Sequence, residues 1–306
     1  MTLVLSMHGR DTMWLLADRR LSYGPSRPPV DNAVKVLELG TTDGIALLGY
    51  AGLGATARGT QPSTWMSAVL RGRPGLTLEQ ALGVLSGAAT RELPRHLAAM
   101  HFGTHTILAS AYLNGVGPRT YTVDNVIDPL TRQHFSRYTR RVPPDPGPQA
   151  PPIALAGTGG LFLAGVGGTW KRSLLRLVKA HDNGKVPPCT VADGLARLNL
   201  KAHKGVRDGS VGPRCIVVWR RRLDASRPGE GGGHLCYTAT APEAEVPTLP
   251  AIQNGMDLQA LVDITMKASG AVDKDGRAQW PPQLPPEGTV ERMIAERNWD
   301  PNDTLS

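Results

Sequence analysis

Apolar residues fill most positions of 2–8 and 12–18, two short runs joined by the turn-like His8-Gly9-Arg10-Asp11, and each reads as a buried strand. Ala33–Leu39 alternates apolar with polar positions and Asp43–Ala51 is another apolar run, so four strands are expected before residue 52. The period then changes. Pro62–Leu70 and Leu76–Met100 read as helices, and in the second Leu78, Ala81, Leu82 and Leu85 recur at helical spacing. Thr77 stands where an N-cap is needed, with Glu79 in the first turn. Pro94 lacks an N–H and is expected to kink or break that helix. Thr104–Leu113, Arg119–Val126 and Gln133–Arg141 form a second strand group, followed by a loop at Val142–Pro152 that is too rich in proline for a central strand. Helices return at Leu161–His181 and Thr190–His203. Strands follow at Cys215–Arg221 and His234–Thr240, and the glycine-rich residues 229–233 serve as a flexible hairpin loop between them.

This alternation predicts one large α+β domain over residues 2–240. The remainder, 241–306, differs in character. Ala241–Pro250 and Trp280–Glu287 are proline-rich, Asp273-Lys274-Asp275-Gly276 is turn-like, and Leu258–Ala268 and Thr289–Arg297 suit short helices. We expect an extension that wraps the core or reaches a neighbour and is partly disordered at its end. Trp280 and Trp299 argue for docking, since both are costly to leave in water.

Composition narrows the class. With 306 residues, 41% of them hydrophobic, the chain can bury a sizeable core. It has no apolar run of ~18 residues and no basic-then-apolar leader, so neither a membrane span nor a secretory address is expected. Three cysteines, Cys189, Cys215 and Cys236, lack metal-ligand spacing and suit a reducing cytoplasm better than a disulfide framework. The net charge of +8 raises the question of nucleic acid. Its clusters, Arg137-Tyr138-Thr139-Arg140-Arg141 and Trp219-Arg220-Arg221-Arg222, come without any accompanying recognition motif. Nucleic acid is therefore not the expected partner.

The candidate chemistry lies at the start of the chain. Loss of Met1 would make Thr2 the N-terminal residue, which combines a hydroxyl nucleophile with its own α-amine as base. That amine titrates near 7.7–8.0 when unperturbed, so a neighbouring cation is needed to keep it unprotonated at neutral pH. Lys35 offers the cation and Asp18 the carboxylate to hold it. Both fall at the ends of predicted strands, where they can converge on Thr2.

In that order the residues resemble a proteasome β subunit of the N-terminal nucleophile (Ntn) hydrolase superfamily. Thr2 matches the N-terminal threonine, and Asp18 with Arg19-Arg20-Leu21-Ser22 matches the acidic residue and the segment after it. Lys35 precedes Val36-Leu37-Glu38-Leu39 as the family lysine precedes its strand. In Leu47-Leu48-Gly49-Tyr50-Ala51-Gly52, Gly49 takes the place of the glycine that supplies the oxyanion-hole N–H. More weakly, Ala156-Gly157-Thr158-Gly159-Gly160 resembles the Gly-Ser-Gly turn with threonine for serine. Arg207-Asp208-Gly209-Ser210-Val211-Gly212 resembles a late Asp-x-x-Ser-Gly segment, except that Val211 occupies the serine position and Ser210 comes one place early.

The resemblance implies a four-layer αββα sandwich and an N-terminal threonine hydrolase that cleaves amide bonds, most simply in peptides. It implies catalytic roles for Thr2, Asp18, Lys35, Gly49, Asp208 and Ser210, and substrate contacts at Ser22, Leu47 and Thr158. The chemistry requires neither a metal nor an organic cofactor. A peptide or protein substrate and a homo-oligomeric ring are expected, with any unfoldase partner unknown. Two alternatives stay open: an amidase acting on a small molecule, and a catalytically silent assembly subunit, which the departure at Val211 favours.

Overall fold

The computed structural model describes residues 2–21, 28–52, 61–100, 105–125, 137–142, 153–222, 231–244 and 246–262. Ser22, Trp280, Trp299, the predicted helix at Thr289–Arg297 and nearly all of the loop at Val142–Pro152 lie outside these ranges. The chain is a mixed α and β protein built on two sheets.

The first sheet contains β1 (Val4–His8), β2 (Thr12–Asp18), β8 (Ile153–Ala156), β9 (Arg214–Arg221), β10 (Gly232–Thr238) and β11 (Ala241–Pro242), in the order β11-β10-β9-β2-β1-β8. The second contains β3 (Val36–Thr41), β4 (Gly44–Ala51), β5 (Thr106–Leu113), β6 (Gly117–Asp124), β7 (Thr139–Arg141), β12 (Ala251–Gln253) and β13 (Met256–Asp257), in the order β13-β12-β3-β4-β5-β6-β7. Neighbours run antiparallel except β12, which lies parallel to β3 with Ala251 opposite Glu38. The helices α1 (Pro62–Leu70), α2 (Leu78–Met100), α3 (Gly157–Gly165), α4 (Thr169–Asp182) and α5 (Pro188–Gly205) accompany the sheets, and residues 258–262 are helical as well.

The strands are apolar on both faces, and the two-residue period decides where each side chain goes. Val4, Met13, Leu15, Ala17, Ile216 and Val218 of the first sheet meet Val36, Leu47, Ala51, Leu108 and Tyr112 of the second in one buried cluster. The intervening residues face helices. Leu5, Met7, Trp14, Leu16 and Val217 pack on α3, α4 and α5 through Leu163, Trp170, Leu174 and Leu195. Leu37, Leu48, Tyr50, Ala109 and Val123 pack on α1 and α2 through Trp65, Met66, Leu82 and Leu85. At about 25 cal/mol per Å² of apolar surface, these clusters are the main favourable term in folding.

Local signals explain most of the boundaries. Thr77 Oγ1 accepts from the Gln80 N–H at 3.3 Å while Gln80 Oε1 accepts from the Thr77 N–H at 2.9 Å, a reciprocal cap that starts α2. The expected break at Pro94 does not occur. One missing ladder bond does not end a 23-residue helix whose apolar stripe is already docked on the sheet. The single helix expected over Leu161–His181 is instead two, α3 and α4, because Gly167 takes a φ of +75° between them. β8 had no signal in the sequence, being four residues long directly after a proline run.

The described residues between 241 and 257 join both sheets. β11 lengthens the first, β12 and β13 extend the second, and Leu249 and Ile252 are buried. Of the expected helix at Leu258–Ala268, residues 258–262 are described and helical. No helix among the described residues is long and apolar enough to cross a membrane.

Candidate active site

Thr2 stands two residues before β1, Asp18 ends β2 and Lys35 directly precedes β3. Antiparallel pairing of β1 with β2 brings the first two to the same sheet end: the Asp18 N–H donates to the Leu3 carbonyl, and the Leu3 N–H donates to Asp18 Oδ1, both at 3.0 Å. The second sheet carries Lys35 to that end. Lys35 Nζ lies 2.8 Å from Thr2 Oγ1 and 3.0 Å from Asp18 Oδ1. The side chains of Lys35 and Asp18 are fully buried, and Thr2 is 1% exposed.

A buried ion pair of this kind survives only if the remaining polar atoms are also satisfied. Asp18 Oδ1 accepts from Leu3 N and Lys35 Nζ, while Oδ2 accepts from the N–H groups of Arg20 and Gly212, each at 3.1 Å. Arg20 locks the surrounding loops. Its guanidinium makes two 2.7 Å bonds to Asp31 and a third, also 2.7 Å, to the Gly209 carbonyl. Burial pushes Lys35 below the ordinary lysine range, against the attraction of Asp18.

The glycine turn after β8 closes over the threonine. The Gly159 N–H donates to the Thr2 carbonyl at 3.2 Å, and Gly157, at φ +79°, leaves no room for a side chain. A Cβ on Gly157 would stand 2.1 Å from the Thr2 carbonyl oxygen. Sequence reasoning gave this turn a place but no reason for its glycines. Their signal was the cluster Gly157, Gly159 and Gly160. Thr158 is the second residue of α3 and is half-buried.

The other candidates among the described residues make no hydrogen bond to Thr2 Oγ1, Lys35 Nζ or the Asp18 carboxylate. Asp208 caps its own loop, accepting from the Ser210 N–H at 2.9 Å. Ser210 is 7% exposed and its hydroxyl has no partner among the described residues. Val211 is fully buried in the helix-side core beside Leu3, with its carbonyl held by His203. Leu47 is fully buried between the sheets, so its surface is closed to a substrate. Gly49 is fully used by packing: a Cβ there would stand 2.6 Å from Val4 Cγ1. Its N–H is also committed. The Tyr50 N–H donates to the Lys35 carbonyl just before β3, so that of Gly49, pointing the opposite way, belongs to the ladder with Leu108 on β5. Gly52 is different. It follows Ala51, whose Cβ borders Gly157, and its N–H has no partner among the described residues.

Cys215 and Cys236 are buried free thiols that burial pushes up, Cys236 to about 11, which disfavours the thiolate. Among the described residues no three His, Cys, Asp or Glu side chains converge as metal ligands.

No protein-family model matches the chain, and no curated protein matches it. Among solved structures it is similar to Anbu (ancestral beta-subunit) from Yersinia bercovieri, with a TM-score of 0.46 and 12% identity over 78% of this chain and 87% of that one. Anbu from Hyphomicrobium sp. strain MC1 gives 0.42 and 14%, over 74% and 85%. The helical assembly of the Anbu complex from Pseudomonas aeruginosa gives 0.46 and 14%, over 77% and 86%. These findings correct the resemblance drawn from the first fifty residues. The similar structures are Anbu proteins, at TM-scores below 0.5 and 12–14% identity, and membership of the proteasome β or Ntn hydrolase family does not follow from them.

Proposed function

We propose that the chain is a threonine hydrolase of amide bonds, with Thr2 as its nucleophile. The observation that supports this is the buried contact of Thr2 Oγ1, Lys35 Nζ and Asp18, at 2.8 and 3.0 Å. A threonine hydroxyl on a buried lysine is an expensive arrangement for structure alone, because the ammonium must be taken out of water.

Once the bond preceding Thr2 is cut, its α-amine becomes the base. Oγ attacks the substrate carbonyl carbon and its proton passes to the amine. The tetrahedral intermediate collapses as that proton moves to the departing nitrogen. The remaining ester is hydrolysed by water, which releases the acid and restores the hydroxyl. Lys35 keeps the proton affinity of the amine low, and Asp18 holds Lys35. Strand parity turns the Gly49 N–H towards β5, so in our reading Gly52 N–H is the oxyanion donor in place of Gly49; one such donor is worth roughly 3–4 kcal/mol. We read the stack as a four-layer αββα sandwich, supported by one apolar cluster between the sheets and one on each helical side. A peptide substrate and a homo-oligomer complete the proposal.

The test is covalent. Intact mass spectrometry after treatment with a peptidyl β-lactone should show one acyl adduct on protein whose N-terminus is Thr2, and none on Thr2→Ala. Amide hydrolysis should fall on the order of 10³-fold or more in that variant. Protein with a free Thr2 that takes no adduct, while Thr2→Ala folds identically, would favour the silent-subunit reading. The unpartnered Ser210 hydroxyl and the core position of Val211 already lean that way.

A further inference from the structure

We propose that Glu243, in the segment after β10, is a positioning residue for Lys35, so that residues 241–253 hold the lysine against Thr2. The inference rests on the reading that Lys35 sits at the reacting hydroxyl.

Lys35 lies on a short stretch between Asp31 and β3, and residues from beyond position 240 grip that stretch on both sides. On the near side the agent is Arg19. Its Nε donates to the Ala33 carbonyl at 3.3 Å and its Nη2 to the Asn32 carbonyl at 3.0 Å, while the Ala33 N–H donates to the Arg19 carbonyl at 3.0 Å. Arg19 is 5% exposed, so its charge needs a buried counter-charge, which Glu243 supplies: Arg19 Nη1 donates to Glu243 Oε2 at 3.2 Å. Glu243 is itself fixed. Its carboxylate takes a forked pair of bonds from Arg214 and one at 2.9 Å from Thr238 Oγ1, and its N–H donates to the Cys236 carbonyl at 2.9 Å. On the far side, the Glu38 N–H donates to the Pro250 carbonyl at 3.0 Å, where β12 begins its parallel pairing with β3.

Lys35 therefore stands between two anchors, two residues after Ala33 and three before Glu38. Neither anchor hydrogen-bonds to Thr2 Oγ1 or to the Asp18 carboxylate. Arg19 is also the residue after Asp18, and its N–H donates to the Arg214 carbonyl at 2.9 Å, so one Arg–Glu–Arg group sets both the acid and the lysine. The same bonds to Arg214 hold the Glu243 carboxyl below the usual carboxylate range. Shifts of about 1 Å transmitted from outside a site are enough to cost on the order of 10²-fold in rate.

The experiment uses the full chain and the variants Glu243→Gln, Glu243→Asp and Arg19→Lys, with Glu79→Gln as a surface control. Selective lysine labelling makes the Lys35 side chain visible by NMR, its resonance being the one lost in Lys35→Arg. In Glu243→Gln the Lys35 signal should move and its titration midpoint shift, and kcat on a fluorogenic peptide amide should fall about 10- to 100-fold with KM within about two-fold. Glu243→Asp should recover part of both, and Glu79→Gln should change neither. If Glu243→Gln does not fold, Arg19→Lys carries the same readouts, since it keeps the charge and loses the bonds to Asn32 and Ala33. A folded Glu243→Gln or Arg19→Lys protein with an unmoved Lys35 resonance overturns the proposal. A wild type that hydrolyses nothing counts against the hydrolase reading instead, because the NMR arm needs no activity.

Discussion

Two polar clusters lie between the same two sheets, at opposite ends of β1 and ~20 Å apart by strand rise. At one end are Thr2, Asp18 and Lys35. At the other are His8, Ser110 and Tyr112, where His8 Nε2 lies 3.0 Å from Ser110 Oγ and 3.2 Å from the Ala111 carbonyl, and Tyr112 donates to the Gly9 carbonyl at 2.8 Å. His8 and Ser110 are fully buried and Tyr112 is 3% exposed. On a residue inventory the second cluster, a serine against a histidine, looks the more catalytic. The surroundings reverse that. The His8 cluster sits on the strands themselves, with an aromatic edge contact between His8 and Tyr112. The Thr2 cluster holds a formal ion pair at strand ends, gripped by loops and a glycine turn. Paired charges are costly to bury, so the charged end is where function is expected to justify the cost.

Removing one charge should break this contrast most strongly. Lys35→Met leaves Asp18 buried with three backbone donors and no counter-charge, so it should lose about 3–5 kcal/mol in urea unfolding. Asp18→Asn combined with Lys35→Met should recover part of that loss, with a coupling of about 1–3 kcal/mol. A purely additive double variant would show that the two groups are not a pair in solution.

A smaller effect should appear with pH. Lys35 has a lowered folded value, so between that value and the unfolded ~10.4 the unfolded chain binds more protons, and stability rises with pH. Cys215, Cys236 and the buried Tyr50, Tyr112, Tyr138 and Tyr237 are all raised by burial and pull the other way at alkaline pH. The Lys35 contribution is therefore the difference between wild type and Lys35→Met, which should grow as pH rises from 8 to 10 when both are unfolded in urea. The His8 cluster should respond least to substitution. Ser110→Ala leaves His8 Nε2 its bond to Ala111, so a cost of about 0.5–1.5 kcal/mol and an unchanged hydrolysis rate are expected. A large loss of activity in Ser110→Ala would overturn the ranking of the two ends.

The strand periods and the α2 cap were legible because they are local. Apolar residues at every second or at every third and fourth position commit a segment before any partner is present, and β1, β2, β4 and α1 stand where the pattern placed them. Thr2, Asp18 and Lys35 were legible as residue types at strand ends. Their separation was not, since 2.8 and 3.0 Å depend on how two sheets are stacked. Gly49 shows the limit well: its place in a motif suggested a free N–H, whereas strand parity turned that N–H into the ladder with β5. Glu243 is the converse. In sequence it lies in a proline-rich segment far from the site, and only the fold brings its carboxylate to Arg19. The chain by itself determined which segments become strands and helices and which residues carry the chemistry, because propensity and period act over a few neighbours. Tertiary packing alone decided which donors stay free and which charges meet, because those outcomes depend on contacts between residues up to 224 positions apart.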